Sequence, residues 1–478
     1  MTLLHWPTQS LLPSNPAGWA RQPYPGTLIA VDGVDGSGRA TQLELLALWL
    51  QVQGYGVVST AWNSSKLVAR TIREARQQNS LTPLTYSILH ATDVAARHEA
   101  EIIPALRAGY VVLVDRSIFT AFARDSARGV ARDWLYNLYA FGLRPDLSFY
   151  LRIDAARSIE RVAGIGGEAS IDEAIESASA GLVLDSFARF QERVISEYEH
   201  LVEPFDMLPI DATLPIKSQQ DHLRDVVSAT LVARNGKHTS VLTPQSLSPP
   251  LDADVELPAH GLPGTLIVVE GGDRSGRSTQ VRLLVEWLEK RGQAVVQTDW
   301  NTSPHISKAI HKAKADGALR PITYSLFYAA DFADRVASVI MPALARGEVV
   351  VADRYVYTAF ARDSARGADR RWLRALYAFA PRPDVIFYLR VPPGVTAQRA
   401  PSVAVKARDA YELGLDLGLS LDPEQSFQLY QQQVFDELES LQASQQFVTL
   451  DGQQAVDEIQ RVVRDTLRTA VPQCARRP

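Results

Sequence analysis

Two short glycine-rich stretches in this chain carry the residue types that bind phosphate. The first runs from 33 to 41 and reads GVDGSGRAT, and the second runs from 271 to 279 and reads GGDRSGRST. Glycines let a backbone turn point successive N–H groups at phosphate oxygens, and a following helix directs the positive end of its dipole at the same oxygens. Each stretch stands between an apolar run and an amphipathic helical pattern, which begins at Thr41 in the first half and at Thr279 in the second. The spacing therefore predicts two phosphate-binding loops.

Both loops depart from the usual pattern G-x-x-x-x-G-K-[ST] at the lysine, where Arg39 and Arg277 stand. Arginine keeps the charge but replaces a compact ammonium by a planar fork. The first loop also has Ala40 where a hydroxyl would hold Mg²⁺, whereas the second keeps Ser278. We therefore predict that the second loop is better suited to turnover. A purely structural glycine turn, or a loop that binds nucleotide but transfers phosphate poorly, would be the alternatives.

A second charged pair follows an apolar run in each half of the chain: Asp115-Arg116 after VVLV and Asp353-Arg354 after VVVA. Carboxylates at the end of a buried parallel strand point into the crevice where such folds bind ligands. The aspartate can orient hydrated Mg²⁺, and the arginine can form a forked contact with a phosphate. An ordinary ion pair that caps the strand is the structural alternative.

The stretch TAFARDSARG occurs unchanged at 120–129 and at 358–367. On a helix its two arginines would share one face, and its final glycine suits a helix end. These arginines are Arg124 and Arg128 in the first stretch, and Arg362 and Arg366 in the second. The face either points toward the Asp-Arg pair and builds an anion site, or is solvated and charged with internal ion pairs.

A tryptophan-led turn comes after the second apolar run of each half, as Trp62-Asn63-Ser64 and Trp300-Asn301-Thr302. The ring could stack in an acceptor pocket. It could equally be a core tryptophan followed by a turn.

These motifs recur because the chain repeats itself. One spacing separates GTLIAVDG from GTLIVVEG, Asp115 from Asp353 and Asp146 from Asp384. Apolar runs alternate with amphipathic patterns, which indicates a mostly parallel sheet covered by helices on both faces. We therefore predict an α/β chain of two tandem P-loop NTPase domains. The predicted parts are a tail (1–25), copy 1 (26–234), a linker rich in Pro and Ser (235–262), copy 2 (263–470) and a tail (471–478).

Composition narrows the function classes. The net charge of −5 and the pI of about 6.0 argue against a basic nucleic-acid footprint and against binding to anionic membrane. The single cysteine, Cys474, cannot form a disulfide within the chain. The N-terminal stretch is punctuated by prolines and lacks the pattern of a signal peptide. We therefore expect a cytoplasmic protein.

Three stretches of copy 2 resemble thymidylate kinases: EGGDRSGRSTQ at 270–280, LFYAADFADRVASVIMPAL at 326–344 and DRY at 353–355. Copy 1 resembles them more loosely through DGVDGSGRATQ, ILHATDVAARHEAEIIPAL and DRS. Members of that family transfer the γ-phosphoryl group of ATP to dTMP. The resemblance therefore implies domains of the nucleoside-monophosphate-kinase type, with ATP, a nucleoside monophosphate and Mg²⁺ as ligands. Because family members pair as homodimers, the two copies are expected to form a pseudo-dimer within one chain.

The resemblance also implies roles. In copy 2, Asp273 would hold the sugar hydroxyl of the acceptor, Arg354 the acceptor phosphate, and Arg274 the transferred group. The catalytic candidates are Arg274, Arg277, Asp353 and Arg354, and the magnesium ligands are Ser278 and Asp353. The loop residues that bind ATP phosphates would be Gly33, Asp35, Gly36, Ser37, Gly38, Arg39 and Thr41, and Gly271, Asp273, Ser275, Gly276, Arg277, Ser278 and Thr279. The acceptor-binding residues would be Asp35, Arg116, Arg124 and Asp125, and Asp273, Arg354, Arg362 and Asp363.

Departures from the family pattern keep the acceptor and the activity open. The Tyr-Gln that reads thymine in the family is Arg-Asp here, and the loop after the second strand is WNSS or WNTS. The lid of copy 1 (164–181) is acidic and has no arginine, whereas the lid of copy 2 has Lys406 and Arg408. We therefore expect a nucleoside-monophosphate kinase that works chiefly through copy 2. A nucleotide-binding regulator or scaffold with impaired catalysis is the alternative.

Overall fold

The computed structural model describes residues 22–78, 80–164, 180–235, 257–398 and 411–471. The chain divides into two compact units, with the division between Asp252 and Ala253. Copy 1 lies in the first unit and copy 2 in the second. The described residues leave out most of the predicted linker, nearly all of both tails and nearly all of both lids. Lys406 and Arg408 of the second lid are among the residues left out.

Copy 1 is built around a five-stranded sheet in which every neighbouring pair of strands is parallel. The strand order is β2-β3-β1-β4-β5, so β1 is central. The strands are β1 (Thr27–Asp32), β2 (Val57–Ala61), β3 (Val111–Asp115), β4 (Leu147–Arg152) and β5 (Leu208–Asp211).

Copy 2 repeats this sheet with the order β10-β9-β6-β8-β7, again with parallel pairs only. Its strands are β6 (Thr265–Glu270), β7 (Val295–Asp299), β8 (Val349–Asp353), β9 (Val385–Arg390) and β10 (Val448–Asp451). The predicted fold class, two tandem α/β domains with parallel sheets, is therefore confirmed.

Helices follow the strands in the same order in both copies, and a π-helical turn (His98–Ile102 or Val336–Ile340) interrupts one helical stretch in each. Copy 1 has α1 (Arg39–Val52), α2 (Ala69–Gln78), α3 (Pro83–Arg97), α4 (Ile103–Arg107), α5 (Ile118–Ala127), α6 (Arg132–Leu138), α7 (Ala155–Gly164), α8 (Ala180–Val202) and α9 (Ile216–Asn235). Copy 2 has α10 (Arg277–Glu289), α11 (Ser307–Ala315), α12 (Pro321–Arg335), α13 (Met341–Ala345), α14 (Val356–Ala365), α15 (Arg370–Leu376), α16 (Pro393–Gln398), α17 (Pro423–Gln445) and α18 (Val456–Ala470), with a 3₁₀ turn at Leu415–Leu417.

The core fixes the point where the central strand becomes a loop and then a helix. In copy 2, apolar side chains of β6, β8 and β9 pack with those of α10 and α18 in one buried cluster. Burying apolar area contributes roughly 25 cal/mol per Å², so this packing holds strand and helix rigidly on either side of the loop. The cluster includes Ile267, Val351, Phe387, Leu284, Leu288 and Val463.

The described ends of the predicted tail and linker pack against the domains. Gln22 donates hydrogen bonds to the oxygens of Gly26 (2.8 Å) and Asp146 (2.7 Å). Ala259 forms a parallel bridge with Arg382 of copy 2. Among the described residues, no helix combines the length and apolar character needed to cross a membrane.

Candidate functional site

The strand order brings the two sequence motifs of each copy to one edge of its sheet. The central strand pairs in register with the strand that ends in the aspartate, so that Val31 lies beside Asp115 and Val269 beside Asp353. The phosphate loop leaves the carboxyl end of the central strand. It therefore faces the Asp-Arg pair across the crevice where open parallel sheets bind ligands.

Glycines give the loop its backbone path. Gly33 and Gly271 have φ angles of 148° and 151°, and a Cβ on either would lie under 3.0 Å from the carbonyl oxygen of a leucine in the neighbouring strand. Gly38 and Gly276 are left-handed, with φ angles of 93° and 99°. The helix begins at the next residue, so its free N–H groups and dipole face the loop. The amphipathic pattern had suggested a start two residues later.

The arginine that replaces the usual lysine closes over its own loop. Arg39 Nη1 donates to the carbonyl oxygens of Gly33 and Val34, each at 2.5 Å, and Nε donates to Asp115 Oδ1 at 2.8 Å. Arg277 makes the same contacts, to Gly271 and Gly272 and, at 2.7 Å, to Asp353. Both guanidinium groups are therefore bound to the loop backbone and to the strand-end aspartate. A single ammonium could not bridge both partners in this way.

The predicted magnesium ligands come together in copy 2. Ser278 Oγ donates to Asp353 Oδ2 at 3.1 Å, and a hydroxyl and a carboxylate are oxygen ligands of the type that Mg²⁺ prefers beside phosphates. Copy 1 has Ala40 at the hydroxyl position. The residues present thus fit Mg²⁺ in copy 2 and fit it less well in copy 1. In the part of the chain that the structure describes, no group of three or more His, Cys, Asp or Glu is arranged so that it could hold a metal ion.

The aspartate inside each loop is held by two arginines. Asp35 forms ion pairs with Arg116 and, at 3.0 Å, with Arg124. Asp273 pairs in the same way with Arg354 and, at 2.9 Å, with Arg362. Three of the four predicted acceptor residues of each copy therefore converge.

These ion pairs set the charge of the site. Burial disfavours the ionised form of Asp35, but Arg116 and Arg124 outweigh it and hold its pKa well below the usual range. Burial, together with Arg277 and Arg362, lowers the pKa of Arg354 to about 10. Crowded arginines that raise one another's electrostatic energy are well suited to receive a phosphate dianion.

A buried acid at the end of the central strand was missed in the sequence analysis. Glu270 is fully buried and accepts bonds from Tyr355 N (2.8 Å) and Thr358 Oγ1 (2.7 Å) at the start of α14. In copy 1, Asp32 accepts from Ser117 N (2.9 Å) and Thr120 Oγ1 (2.8 Å). Burial raises the pKa of both acids. An acid before the loop glycine in both copies, VDG and VEG, was the available signal.

This acid anchors a strained residue of the site. Arg116 and Arg354 have positive φ angles of 65° and 73°, which are uncommon for residues with a side chain. Each lies between the strand-end aspartate and the helix that the buried acid holds. Non-glycine residues persist in this conformation where the surroundings fix them, and they often cluster at functional sites.

In copy 2 the second arginine of TAFARDSARG is enclosed by protein and not solvated, and in copy 1 it is half-buried. Arg366 is buried, donates to Tyr411 O (2.6 Å) and Asp416 Oδ2 (3.1 Å), and stacks over the Tyr324 ring at 4.5 Å. Arg128 lies 4.8 Å from the Phe190 ring centroid. The helices end as expected, with left-handed glycines at 129 and 367.

The two aspartates of this motif are buried rather than open to the crevice. Asp125 Oδ1 lies 3.7 Å from His90 Nδ1. Burial raises the pKa of Asp363 to about 6 against the pull of Arg366 and a hydrogen bond from Ser325. Contact of either aspartate with an acceptor base stays a prediction.

Both tryptophans are half-buried, so neither is fully enclosed in a core. Trp62 lines a cavity of about 370 Å³ together with Asp35, Asp115 and Arg116. Two arginines of α2, Arg73 and Arg76, also line it and were not singled out from the sequence. In copy 2, Trp300 stacks on Tyr328, with ring centroids 6.1 Å apart and planes 11° apart.

The remaining loop residues divide by exposure. Ser37 and Ser275 are buried, whereas Thr41 and Thr279 are exposed on the first helical turn. Arg274 has a φ angle of 63° and places its guanidinium 4.9 Å from the Phe427 ring centroid. Gly36, its counterpart in copy 1, has a φ angle of 75°.

Comparison with known proteins gives one family. The sequence model of thymidylate kinase matches residues 31–222 and again residues 269–463. The chain is 36% identical over 204 residues to a probable thymidylate kinase 2 of Saccharolobus solfataricus, covering 42% of this chain and 95% of the relative.

Two further relatives each match part of the chain. A probable thymidylate kinase of Pyrococcus horikoshii is 42% identical over 137 residues, which is 27% of this chain and 66% of the relative. A thymidylate kinase of an Exiguobacterium species is 32% identical over 214 residues, which is 42% of this chain and 93% of the relative. Because the two family matches together span most of its length, the chain belongs to the thymidylate kinase family.

Proposed function

We propose that this chain is a nucleoside-monophosphate kinase that transfers the γ-phosphoryl group of ATP to a nucleoside monophosphate, with dTMP as the default acceptor. Membership of the thymidylate kinase family supports the reaction class. The observation that carries the proposal is the meeting of the phosphate loop with Asp353, Arg354 and Asp273 at one sheet edge. That arrangement provides donors for two phosphate groups beside a carboxylate for a sugar hydroxyl.

The chemistry asked of these residues is positioning and charge stabilisation. Phosphoryl transfer needs an in-line approach of the acceptor and cations around the moving group, and little covalent help from the protein. In our proposal the loop N–H groups and the start of α10 bind the ATP phosphates, and Arg354 and Arg362 bind the acceptor phosphate. Mg²⁺, held through Ser278 and Asp353, would neutralise charge between the ATP phosphates.

We assign the transfer chiefly to copy 2. It has the hydroxyl of Ser278 beside Asp353, and Arg274 in the loop. Copy 1 has Ala40 and Gly36 at these positions, and a Cβ at Gly36 would lie 2.5 Å from the Ser158 oxygen. An arginine could not enter that loop without moving α7.

The assignment predicts unequal effects of matched changes in the two loops. Ser278→Ala should lower the rate of ADP formation from Mg-ATP and dTMP at least about tenfold, because a ligand that helps to stabilise the transferring charge is lost. Ala40→Ser, the reverse change in copy 1, should leave the rate within about twofold. A coupled assay of ADP release by the full chain measures both. Equal rates for the Ser278→Ala variant and the unchanged chain would contradict the assignment to copy 2.

One observation favours the alternative of a nucleotide-binding protein with impaired catalysis. Both loop arginines are bound to loop carbonyls and to the strand-end aspartate. If these contacts persist with ATP present, the nucleotide would bind without reacting. Calorimetry of ATP binding, combined with an assay that detects no product for any common nucleoside monophosphate, would favour this alternative over the kinase.

A further inference from the structure

One glutamine in each copy reaches the loop aspartate from the helix that follows the lid. Gln431 of α17 is 5% exposed; its Nε2 lies 3.3 Å from Asp273 Oδ2 and its Oε1 lies 3.4 Å from Asp273 N. Gln191 of α8 is 1% exposed, and its Nε2 lies 3.3 Å from Asp35 Oδ2. The same contact therefore occurs in both copies, at equivalent positions of the two helices.

In copy 2 the loop has a second attachment to α17. The guanidinium of Arg274 lies 4.9 Å from the ring centroid of Phe427, which is one helical turn before Gln431. In copy 1 the loop is attached to α7 instead, where Ser158 Oγ donates to Asp35 O at 2.6 Å. The two attachments in copy 2 thus tie the loop to α17, the helix that follows the lid in the sequence.

The glutamine amide fixes the orientation of the aspartate carboxylate. Arg354 and Arg362 both donate to Asp273 Oδ1, and Gln431 donates to Oδ2. Both oxygens of the carboxylate therefore have donors from different elements. The backbone N–H of Asp273 also donates to the side chain of Gln431, and this contact ties the loop to α17.

We propose that Gln431 is a positioning residue for the acceptor, because it orients the Asp273 carboxylate that is to accept the sugar hydroxyl. The inference rests on the proposed function for the role of Asp273. It adds a residue that acts through another residue, and it links acceptor binding to the position of α17.

The test is the binding of dTMP to the full chain, measured by calorimetry without ATP. Gln431→Glu keeps the size of the side chain but replaces the donor by a second carboxylate beside Asp273. At pH 8 we expect the Kd for dTMP to rise about tenfold, the size of one lost hydrogen bond to a charged group. At pH 5 the introduced carboxyl, whose pKa the neighbouring carboxylate raises, should be protonated and donate, and the Kd should return to within about threefold of the unchanged chain.

Matched variants separate positioning from packing. Gln431→Leu should raise the Kd several-fold at both pH values, and Gln432→Leu, an exposed neighbour bonded to Asp436, should not change it. The Kd for ATP should change less than the Kd for dTMP in all of them. A Gln431→Glu variant with the unchanged Kd at pH 8, or with no pH dependence beyond that of the unchanged chain, would overturn the positioning role.

The outcome for the unchanged chain distinguishes the two proposals. If it binds dTMP but forms no product, the kinase proposal fails and the variants still test Gln431. If it binds no nucleoside monophosphate, both fail. If it turns over and Gln431→Glu behaves like it, only the positioning role fails.

Discussion

At the scale of single residues, the arginine in the phosphate loop is the main departure from the family pattern. Its contacts explain how the loop tolerates it: the planar group binds two loop carbonyls through Nη1 and the strand-end aspartate through Nε. A lysine would make fewer of these bonds. In copy 2 the same aspartate is the expected partner of Mg²⁺, so Arg277 and the metal share Asp353.

This sharing predicts how the magnesium requirement depends on Arg277. In Arg277→Lys, Asp353 loses the bond from Nε, so it should be more available to the metal. We expect the Mg²⁺ concentration for half-maximal ADP formation to fall at least about tenfold, because one hydrogen bond to a charged group contributes about 1.5–3 kcal/mol. The maximal rate should not fall. Titration of the full chain with MgCl₂ at saturating ATP and dTMP measures this.

A suitable control is Arg282→Lys, the same exchange on the exposed side of the same helix, where Arg282 pairs with Glu286. It should leave the magnesium requirement unchanged. An unchanged requirement in Arg277→Lys would show that Arg277 and the metal do not compete for Asp353.

The role of a residue could be predicted from the sequence where a motif fixes the chemistry. It could be predicted less well where packing decides the role. Glycine spacing indicated the loops, and the end of an apolar run indicated Asp353 and Arg354. Glu270 and Gln431 were missed because a buried acid and a helical glutamine have ordinary structural roles in most proteins. Their proximity to the site depends on a strand pairing and a helix contact that no local pattern specifies.

At the scale of elements, one buried acid in each copy fixes the turn after the second strand. Asp93 accepts from Ser65 N at 2.9 Å and from Arg97 Nε at 2.9 Å. Asp331 accepts from Ser303 N at 2.8 Å, but Arg335 stays 3.9 Å away and bonds to Thr298 instead. Burial raises the pKa of Asp331 to about 6.

The sign of the resulting pH dependence follows from linkage. Between the ordinary pKa of 3.8 and about 6, folded Asp331 holds its proton while the unfolded chain has lost it, so stability falls as the pH rises through this window. We therefore predict that Asp331→Asn stabilises copy 2 at pH 8 by about 1–3 kcal/mol and much less at pH 4. Calorimetric unfolding of the full chain at both pH values measures this.

Asp93→Asn is the matched variant with the opposite expectation. It breaks a short buried ion pair and should destabilise copy 1 by about 3–5 kcal/mol at pH 8. If Asp331→Asn instead lowered the unfolding temperature at pH 8, the burial penalty on Asp331 would not be the dominant effect.

The elements themselves were predictable because their patterns are strong. Short apolar runs became strands, of which β1 and β6 are buried throughout, and TAFARDSARG became part of a helix that ends two residues before its glycine. The start of α10 differed from the pattern by two residues because Gly276, in a left-handed conformation, sets it. Tertiary packing decides which side of the TAFARDSARG helix faces the site. The sequence alone therefore leaves two interpretations of its arginines open.

At the scale of the whole molecule, the duplication pairs two sheets of the same order with loops that have diverged. Copy 1 keeps the ion pairs of Asp35 and a cavity that is lined by Arg73 and Arg76. It lacks the hydroxyl at position 40. We propose that it supports copy 2 as the second subunit of a dimer would. The homodimers of the family motivate this proposal.

This support predicts that copy 2 is weaker alone. A fragment of residues 263–478 should show a lower unfolding temperature, or at most about a tenth of the ADP-forming rate of the full chain at equal molar concentration, because it lacks the copy that is proposed to support it. Differential scanning calorimetry and the coupled assay on the fragment measure these properties. Full activity with unchanged stability would refute the dependence on copy 1.

The central claim is transfer of a phosphoryl group between two nucleotides at the edge where the loop of copy 2 meets Asp353 and Arg354. Its most direct test is to incubate the full chain with Mg-ATP and dTMP, and to separate and quantify the nucleotides by chromatography. The account predicts that ADP and dTDP form in equal amounts and that Ser278→Ala suppresses both. ADP without dTDP, or no product with dTMP or any other nucleoside monophosphate, would contradict it.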